Sequence, residues 1–240
     1  MQEFIKLFRS ISQRFSPWEL WSDFITMFAC SISNAVDKSH FEAREALYMK
    51  AIKKYNPKEA EAFAHLCAET VMALERNPEQ DFLGSIFMEL GLGNTRAGQF
   101  FTPYHVCELM AKISVGNVVQ QIEEQGYITI NDCACGAGAT LIAGVHEVRR
   151  ALEDSGSGLN WQNHVLVAAQ DIDYTTALMC YIQLSLQGCA AYIKIGNTLT
   201  DPMTPGDSKE NYWYTPMYFM GPWPIRRLLQ ALRGGDPENV

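Results

Sequence analysis

The fold is decided by the stretch YITINDCACGAGATL, which runs from Tyr127 to Leu141. The first part of this stretch is β-rich, whereas a helical pattern begins at Ala139. Gly136 and Gly138 stand between the two patterns, and glycines let the backbone turn sharply and approach a ligand closely. We therefore predict a strand, a glycine loop and a helix, in that order.

Further strands and helices alternate after the glycine loop. This alternation predicts an α/β fold with a parallel, right-handed, doubly wound sheet. A final apolar run, Tyr212 to Met220, is a candidate fourth strand. The other predicted elements are strands at Tyr127–Asn131, Val165–Ala169 and Ala191–Ile195, and helices at about 139–153, 174–187 and 225–232.

The segment before the glycine loop carries repeated helix-start signals. Each has a capping side chain with Glu or Gln three residues later, at Ser16, Ser39, Asn56 and Asn77. The predicted helices cover about 4–15, 17–35, 40–55, 57–76 and 78–90. We therefore expect two domains, an all-helical N-terminal domain over 1–93 and a partial α/β domain over 94–240.

Composition limits the classes of protein that remain. The 240 residues include 19 Lys and Arg against 27 Asp and Glu, a net charge of −8, and 48% are hydrophobic. This excludes disorder and a disulfide scaffold, and no apolar stretch is long enough for a membrane span, so we expect a cytoplasmic protein without membrane contact. The acidity argues against a chain that grips nucleic acid by itself. Seven cysteines without a CxxC pair are interpreted as reduced thiols, and no metal is assigned.

Polar residues follow three predicted strands, where ligands of parallel sheets bind. They are Asp132, Asp171 and Asn197. The loop and Asn197 have ordinary alternatives, since a GxG loop is often a plain turn and Asn197 suits a turn as well, whereas Asp171 has none. Asp173 is interpreted as a helix cap. A carboxylate at Asp132 repels a pyrophosphate, so together the three strand ends favour a cofactor other than a dinucleotide.

The motifs GQFFTP, DCACGAG, AQDID and GNTL, in this order behind a helical segment, resemble the N-6 adenine DNA methylase family. The resemblance covers roughly residues 78–202 and is nearest to the modification subunit of type I restriction–modification systems. Cys133 and Ala137 depart from the family's usual proline and serine. The resemblance implies a Rossmann-like methyltransferase sheet that uses S-adenosylmethionine and releases S-adenosylhomocysteine, here truncated after about four strands.

The resemblance also assigns cofactor-binding roles. The segment from Gly98 to Pro103 would contact the methionine end, with Thr102 near its carboxylate. Asp171 would hold the ribose, Ile172 would pack on the adenine ring, and Asn197, where the family often has Asp, would face the adenine amino group. The full set is Gly98, Phe100, Thr102, Pro103, Asp132, Ala134, Cys135, Gly136, Gly138, Asp171, Ile172 and Asn197.

The family's Asn/Asp-Pro-Pro-aromatic tetrad, which orients the adenine amino group after base flipping, is absent from the sequence. Its nearest candidate follows the Tyr212–Met220 run and has Gly221 in place of the amide, so no catalytic residue is assigned. Too few residues follow Gly196 for a DNA-recognition domain. We therefore expect DNA to be engaged with a partner protein, and homo- or hetero-oligomer contacts through the helical domain.

Two interpretations of function remain open. The first is an adenine-N6 DNA methyltransferase that works with a partner, and the second is an inactive methylase-like binding or regulatory protein. An enzyme acting on a small molecule is disfavoured by the helical preface and GQFFTP. Two residue groups are ambiguous, since the aromatics at 213, 214, 218, 219 and 223 suit a core better than base stacking, and Arg226, Arg227 and Arg233 suit a helix-terminal charge face better than phosphate contacts.

Overall fold

The computed structural model describes residues 1–11, 13–93, 101–204 and 206–232. Five helices precede residue 94, and the sheet follows two further helices. The helices are α1 Gln2–Ile11, α2 Pro17–Val36, α3 Phe41–Ile52, α4 Pro57–Arg76, α5 Phe82–Glu89, α6 Tyr104–Ser114, α7 Val118–Gln125, α8 Ala139–Ser155, α9 Tyr174–Leu186 and α10 Trp223–Leu232. The strands are β1 Ile128–Asp132, β2 Val165–Asp171, β3 Ala190–Ile195 and β4 Tyr212–Tyr214.

Two of the predicted helix starts are confirmed. The Ser16 side chain accepts a hydrogen bond from the Glu19 amide at the start of α2. Asn56 forms a full capping box with Glu59 at the start of α4. These caps satisfy backbone N–H groups that have no partner inside the helix, which is why they locate helix starts from sequence alone.

At the other two predicted starts the capping residue is wrong, although α3 begins at Phe41, next to the predicted position 40. The Ser39 hydroxyl donates to Asp37 and makes no cap for α3. Asn77 ends α4, and α5 begins only after Asp81, whose side chain accepts from the Gly84 amide at 2.8 Å. Asn77 has the same kind of local pattern as Asn56, yet Asn56 starts a helix and Asn77 ends one. The difference between the two positions therefore comes from packing with residues farther away in the sequence. Sequence analysis also missed α7, which lies between Asn117 and Gly126.

The three predicted parallel strands are confirmed, in the spatial order β1-β2-β3. The fourth differs from the prediction, because β4 pairs antiparallel with β3 and makes the sheet mixed. It is also short, since a 3-10 turn over Pro216–Phe219 follows it immediately. Among the described residues β1 is therefore an edge strand, with β4 at the opposite edge of the sheet.

The two faces of the sheet bury different partners. Alternate residues such as Val167 and Ile193 pack with α8, α9 and the helical segment in one continuous apolar cluster. Their neighbours, including Leu166 and Ala190, pack under an aromatic group from β4, the 3-10 turn and α10. The sheet is thus the middle one of three layers. The carboxyl ends of its parallel strands lie at one end of the layers, and the glycine loop begins there.

The helical segment is joined to the sheet by apolar packing and by one buried cation. Helix α2 packs along α9, within the same apolar cluster. Arg44 of α3 bonds Asp37 at 2.7 Å and the Tyr212 carbonyl at 2.6 Å, and its guanidinium lies 4.1 Å from the centre of the Trp213 ring. Charged groups on either side of this junction are therefore paired.

In the described part of the chain, none of the helices combines the length and hydropathy that a membrane-spanning segment needs.

Candidate cofactor site

The glycine loop joins the end of β1 to the start of α8. Gly136 and Gly138 adopt positive φ angles of 52° and 96°, which L side chains rarely adopt. A Cβ on Gly138 would also lie 2.9 Å from the Cys180 sulfur. The predicted role of both glycines in a sharp turn is confirmed, since neither position accepts a side chain without strain.

Two backbone N–H groups tie the loop to the end of β2. The Cys135 amide donates to the Gln170 carbonyl at 3.0 Å, and the Gly136 amide donates to Asp171 Oδ2 at 2.8 Å. The second bond joins the glycine loop directly to the carboxylate predicted for ribose binding. The carboxyl ends of β1 and β2 therefore form one unit.

Asp132, the last residue of β1, stabilises the loop from within. Its Oδ1 accepts from the Ala134 amide at 3.0 Å, and its Oδ2 accepts from the Thr140 hydroxyl. Both carboxylate oxygens thus hold the loop against the first turn of α8. Thr140 was not among the predicted residues, although a hydroxyl eight positions after a strand-end carboxylate is the kind of group that closes such a loop.

Asp171 accepts several hydrogen bonds at once. Besides the Gly136 amide, its Oδ1 accepts from the Asp173 amide at 2.9 Å and from the Thr176 hydroxyl at 3.2 Å. A carboxylate has about four acceptor sites, so one site remains for a further donor. Asp173 caps α9 by accepting from the Thr176 amide at 2.8 Å, which confirms its predicted structural role.

The third strand end lies next to the second. The Gly196 amide donates to the Asp171 carbonyl at 2.9 Å. Asn197 accepts from the Leu199 amide through its side chain, the turn that sequence analysis considered as its ordinary role. Ile172, predicted to pack on an adenine ring, has 68% of its surface exposed. The structure therefore brings Asp132, Asp171 and Asn197 to one edge of the sheet.

The GQFFTP motif lies partly within and partly outside the described residues. Gly98 and Phe100 lie outside the described residues, whereas Thr102 and Pro103 are exposed at the start of α6. Phe101, which lies within the predicted segment Gly98 to Pro103, stacks on Phe87 of α5 with ring centres 5.4 Å apart. A Cβ on Gly136 would meet the Phe101 ring at 3.3 Å, so this ring lies directly against the glycine loop.

A cavity of about 80 Å³ lies between the loop, the start of α6 and the start of α5. Its lining includes Phe101, Thr102, Asp132, Gly136 and Asp81. A larger cavity of about 350 Å³ runs along the free edge of β1, but its lining contains no charged side chain. The smaller cavity is the one that the strand-end chemistry surrounds, and its volume suits the end of a ligand that continues along the open strand ends.

Asp81 and Gln183 were both missed by sequence analysis. Asp81 has only 5% of its surface exposed, and burial raises the pKa of its carboxyl group. The Gln183 amide on α9 donates to Asp81 Oδ1 and to the Ala137 carbonyl of the loop, each at 2.8 Å. Its oxygen accepts from the Leu83 amide at 3.1 Å. One buried side chain thus connects α5, α9 and the glycine loop.

Two cysteines at the loop are packed thiols, whereas Cys133 is exposed. Cys135 and Cys180 are buried, and the hydrogen bond between them, together with burial, raises the pKa of Cys180 well above its usual value. All seven cysteines of the chain are free. Across the ranges that the structure describes, there is no group of His, Cys, Asp and Glu residues able to hold a metal ion.

The placement of Gly221 at the position of a catalytic amide is wrong. Because β4 is antiparallel, the chain after it runs back toward the start of the parallel strands, where a Cβ on Gly221 would lie 3.0 Å from the Asn163 side chain. Asn163 precedes β2, whereas the glycine loop lies at the opposite end of the strands. Gly221 therefore lies far from the candidate site along the sheet.

The ambiguous aromatic and basic residues belong to the core and the helix end. Trp213, Tyr214, Tyr218 and Trp223 are buried. Arg226 donates to the Gly126 and Asn163 carbonyls, and Arg227 donates to the Tyr218 carbonyl at 2.5 Å. Arg233 lies outside the described residues.

Taken with this geometry, the comparison with protein families identifies the class. A glycine loop between a parallel strand and a helix, closed by carboxylates from two neighbouring strand ends, lies where open α/β sheets bind their ligands. The family model described as N-6 DNA Methylase matches residues 87–228, and the chain belongs to this family. No curated protein and no solved structure gives a significant match to the chain.

Proposed function

We propose that the chain is an S-adenosylmethionine-binding DNA methyltransferase of the adenine-N6 type that requires a partner for DNA recognition. The observation that carries the proposal is the bond from the Gly136 amide to Asp171, which joins the glycine loop to the ribose-binding carboxylate. In this proposal residues 94–240 form a Rossmann-like cofactor-binding domain, and residues 1–93 form a helical domain offering oligomer contacts.

The charge of the site supports a cationic cofactor. Asp81, Asp132 and Asp171 all lie at or beside the glycine loop. Among the described residues, no Lys or Arg forms an ion pair with any of the three. Such a site repels phosphate and favours the sulfonium and ammonium groups of S-adenosylmethionine, because unlike charges attract most strongly where water is partly excluded.

The roles of individual residues follow from their positions. Gly136 and Gly138 let the loop approach the amino-acid end, Asp171 has an acceptor site for a ribose hydroxyl, and exposed Ile172 offers an apolar surface to the adenine ring. Asn197 accepts through its carbonyl oxygen but lacks the charge of the family's usual Asp. When bound, the cofactor supplies an electrophilic methyl group on sulfur.

The need for a partner is supported by the distribution of basic residues. The protein has a net charge of −8, and its candidate phosphate ligands Arg226 and Arg227 are bonded to backbone carbonyls. DNA affinity depends on several unpaired Lys and Arg residues meeting phosphates. The carboxylates around the glycine loop repel a phosphate backbone, so a second, basic protein is expected to bring the DNA to the site.

Calorimetric titration with S-adenosylhomocysteine tests the cofactor site without a DNA substrate. We expect micromolar affinity, since the pocket combines charged hydrogen bonds with apolar contacts. Gly138→Asp serves as a control that fills the loop with a side chain and adds a like charge, and it should bind nothing measurable. Absence of binding by the wild-type protein at millimolar ligand would exclude the proposed cofactor.

Methyl transfer is tested separately. The protein is incubated with S-adenosylmethionine carrying a labelled methyl group and with unmethylated genomic DNA, alone and together with the specificity subunit of a type I system. We expect label in the DNA only with the second protein present, and chromatography of the hydrolysed DNA should identify N6-methyladenine.

A second candidate function is an inactive methylase-like subunit that keeps the cofactor pocket. It is favoured by the absence of the Asn/Asp-Pro-Pro-aromatic tetrad from the sequence and by the position of Gly221 away from the site. Cofactor binding without label transfer under every condition would support this candidate over the first.

A further inference from the structure

The cavity beside the glycine loop contains a buried carboxylate that the family motifs do not include. Asp81 lies at the start of α5, in the helical segment, and has 5% of its surface exposed. Its Oδ1 accepts from the Gly84 amide and from the Gln183 side chain, both at 2.8 Å. This oxygen therefore serves the structure, as a helix cap and as a link to α9.

The second oxygen has no such role. Asp81 Oδ2 accepts no hydrogen bond from any residue in the described ranges, although Asp81 lines the cavity together with Thr102 and Asp132. A Cβ on Gly84 would lie 2.0 Å from this oxygen, so glycine at position 84 leaves the room that the carboxylate occupies. The pair Asp81 and Gly84 thus keeps one acceptor oxygen uncommitted at the cavity wall.

A buried, half-satisfied carboxylate is expensive to maintain. Burying a charge without a counter-ion disfavours folding, and carboxyl groups perturbed in this way cluster at functional sites. Asp132, the residue that the family motif assigns to the amino-acid end, has both oxygens occupied by the Ala134 amide and the Thr140 hydroxyl. Of these two carboxylates, Asp81 is the one with an oxygen that no described donor contacts.

We propose that Asp81 binds the ammonium group at the amino-acid end of the cofactor. This inference rests on the proposed function, and it gives the helical segment a direct part in cofactor binding. Asp132 then acts as a positioning residue that holds the loop in shape. The chemistry is recognition of a primary ammonium by a carboxylate whose position is held by Gln183 and the Gly84 amide.

Asp81→Asn tests the proposal, because the variant keeps the oxygen that Gly84 and Gln183 contact and removes only the negative charge. Affinity is measured by calorimetry for S-adenosylhomocysteine and for 5′-methylthioadenosine, which has the same adenosine and sulfur but no ammonium. We expect S-adenosylhomocysteine to bind on the order of 10- to 100-fold more weakly, the loss expected for one charged hydrogen bond. Affinity for 5′-methylthioadenosine should stay unchanged.

Two further variants separate binding from folding. Asp81→Ser retains a good capping side chain but no carboxylate. Like Asp81→Asn, it should weaken binding of S-adenosylhomocysteine and leave binding of 5′-methylthioadenosine unchanged. Asp154→Asn removes an equal charge from an exposed position on α8 and should change neither affinity. The melting temperature of each variant is recorded, since a purely structural role of Asp81 would lower it.

The outcomes are distinct. Equal weakening of both ligands, or unchanged affinity for S-adenosylhomocysteine, overturns the role of Asp81 while leaving the proposed function intact. Failure of the wild-type protein to bind either ligand overturns the proposed function and this inference together. Binding of 5′-methylthioadenosine alone by the wild-type protein also overturns the inference, because the ammonium would then contribute nothing.

Discussion

Buried carboxylates occur in two regions of this molecule, at the junction between helices and sheet and beside the glycine loop. At the junction Asp37 lies against Arg44, and hydrogen bonds from Ser39 and His40 together with the Arg44 charge overcome burial and lower the pKa of Asp37. Beside the loop Asp81 has no described cation, and burial raises its pKa. In the first region the carboxylate is paired inside the protein, whereas in the second it is the group that we propose binds a ligand.

A buried charge within the α/β part of the chain is also paired with opposite charges. Lys194 of β3 lies between Asp207 at 2.7 Å and Asp201 at 2.8 Å, and its own side chain is buried. The Lys194 ammonium and hydrogen bonds from Thr204 and Tyr212 lower the pKa of Asp207. A buried charge that serves the fold, whether the Asp37 carboxylate or the Lys194 ammonium, is therefore paired with the opposite charge.

The largest expected effect is at the junction. Arg44→Met leaves Asp37 buried without its partner, and breaking a buried pair in this way costs about 3–5 kcal/mol of the free energy of unfolding. Arg14→Met is the matched control, because Arg14 pairs with Glu59 at a position where 57% of the arginine side chain is exposed, and its loss should cost less than about 1 kcal/mol. Urea denaturation measures both values. Equal effects of the two variants would contradict the comparison.

The next effect concerns the glycine loop. Gly138→Ala combines a positive φ angle with a contact of 2.9 Å to the Cys180 sulfur, and should destabilise the protein by about 2–4 kcal/mol. Gly156→Ala has a similar backbone conformation in open space and should cost only about 1–2 kcal/mol. Thermal denaturation distinguishes the two, and a larger loss at Gly156 would show that the loop is loosely packed.

Asp171 is expected to affect binding more than folding. Asp171→Ala removes the carboxylate that we propose binds the ribose and also the anchor of the Gly136 amide, and should weaken S-adenosylhomocysteine binding by about 1.5–3 kcal/mol. Asp154→Ala removes a carboxylate from the surface and should leave affinity unchanged. If calorimetry finds the same affinity for Asp171→Ala as for the wild type, this residue is not part of the site.

The smallest effect is a pH dependence of opposite sign in the two regions. Because the pKa of Asp81 is raised in the folded protein, its contribution to stability is present below about pH 4, the unfolded value, and is lost as the pH rises through the folded value. Asp81→Asn should therefore stabilise the protein by about 0.5–2 kcal/mol at pH 7 but not at pH 4.

Urea denaturation at both pH values checks this prediction. The junction supplies the contrast, since the lowered pKa of Asp37 stabilises the protein above about pH 4 and this contribution is lost as the pH falls through the folded value. A variant that is less stable than the wild type at pH 7 would mean that Asp81 is a structural group.

Local signals in the sequence predicted much of the candidate site. The glycine loop, the caps at Asn56 and Asp173, and the strand ends at Asp132 and Asp171 depend on a few neighbouring residues. Steric limits on φ and unpaired N–H groups at helix starts act over one turn of chain, so the sequence pattern is sufficient to locate them.

Other features depended on residues far apart in the sequence. Asp81 became a site residue through Gln183, 102 positions away, and the direction of β4 was decided by its pairing with β3 and by burial of its aromatic rings. The sequence predicted Asn77 as the start of α5, whereas in the structure Asp81 caps this helix and α5 packs against α9.

The sequence by itself determined the family, the order of strands and helices, and the carboxylates at the strand ends, because these follow from motifs and from local backbone preferences. Only the tertiary structure decided which carboxylate oxygens accept hydrogen bonds from the described residues and which do not. The reason is physical: desolvation and charge pairing depend on groups brought together in space, and these energies have no local signature in the chain.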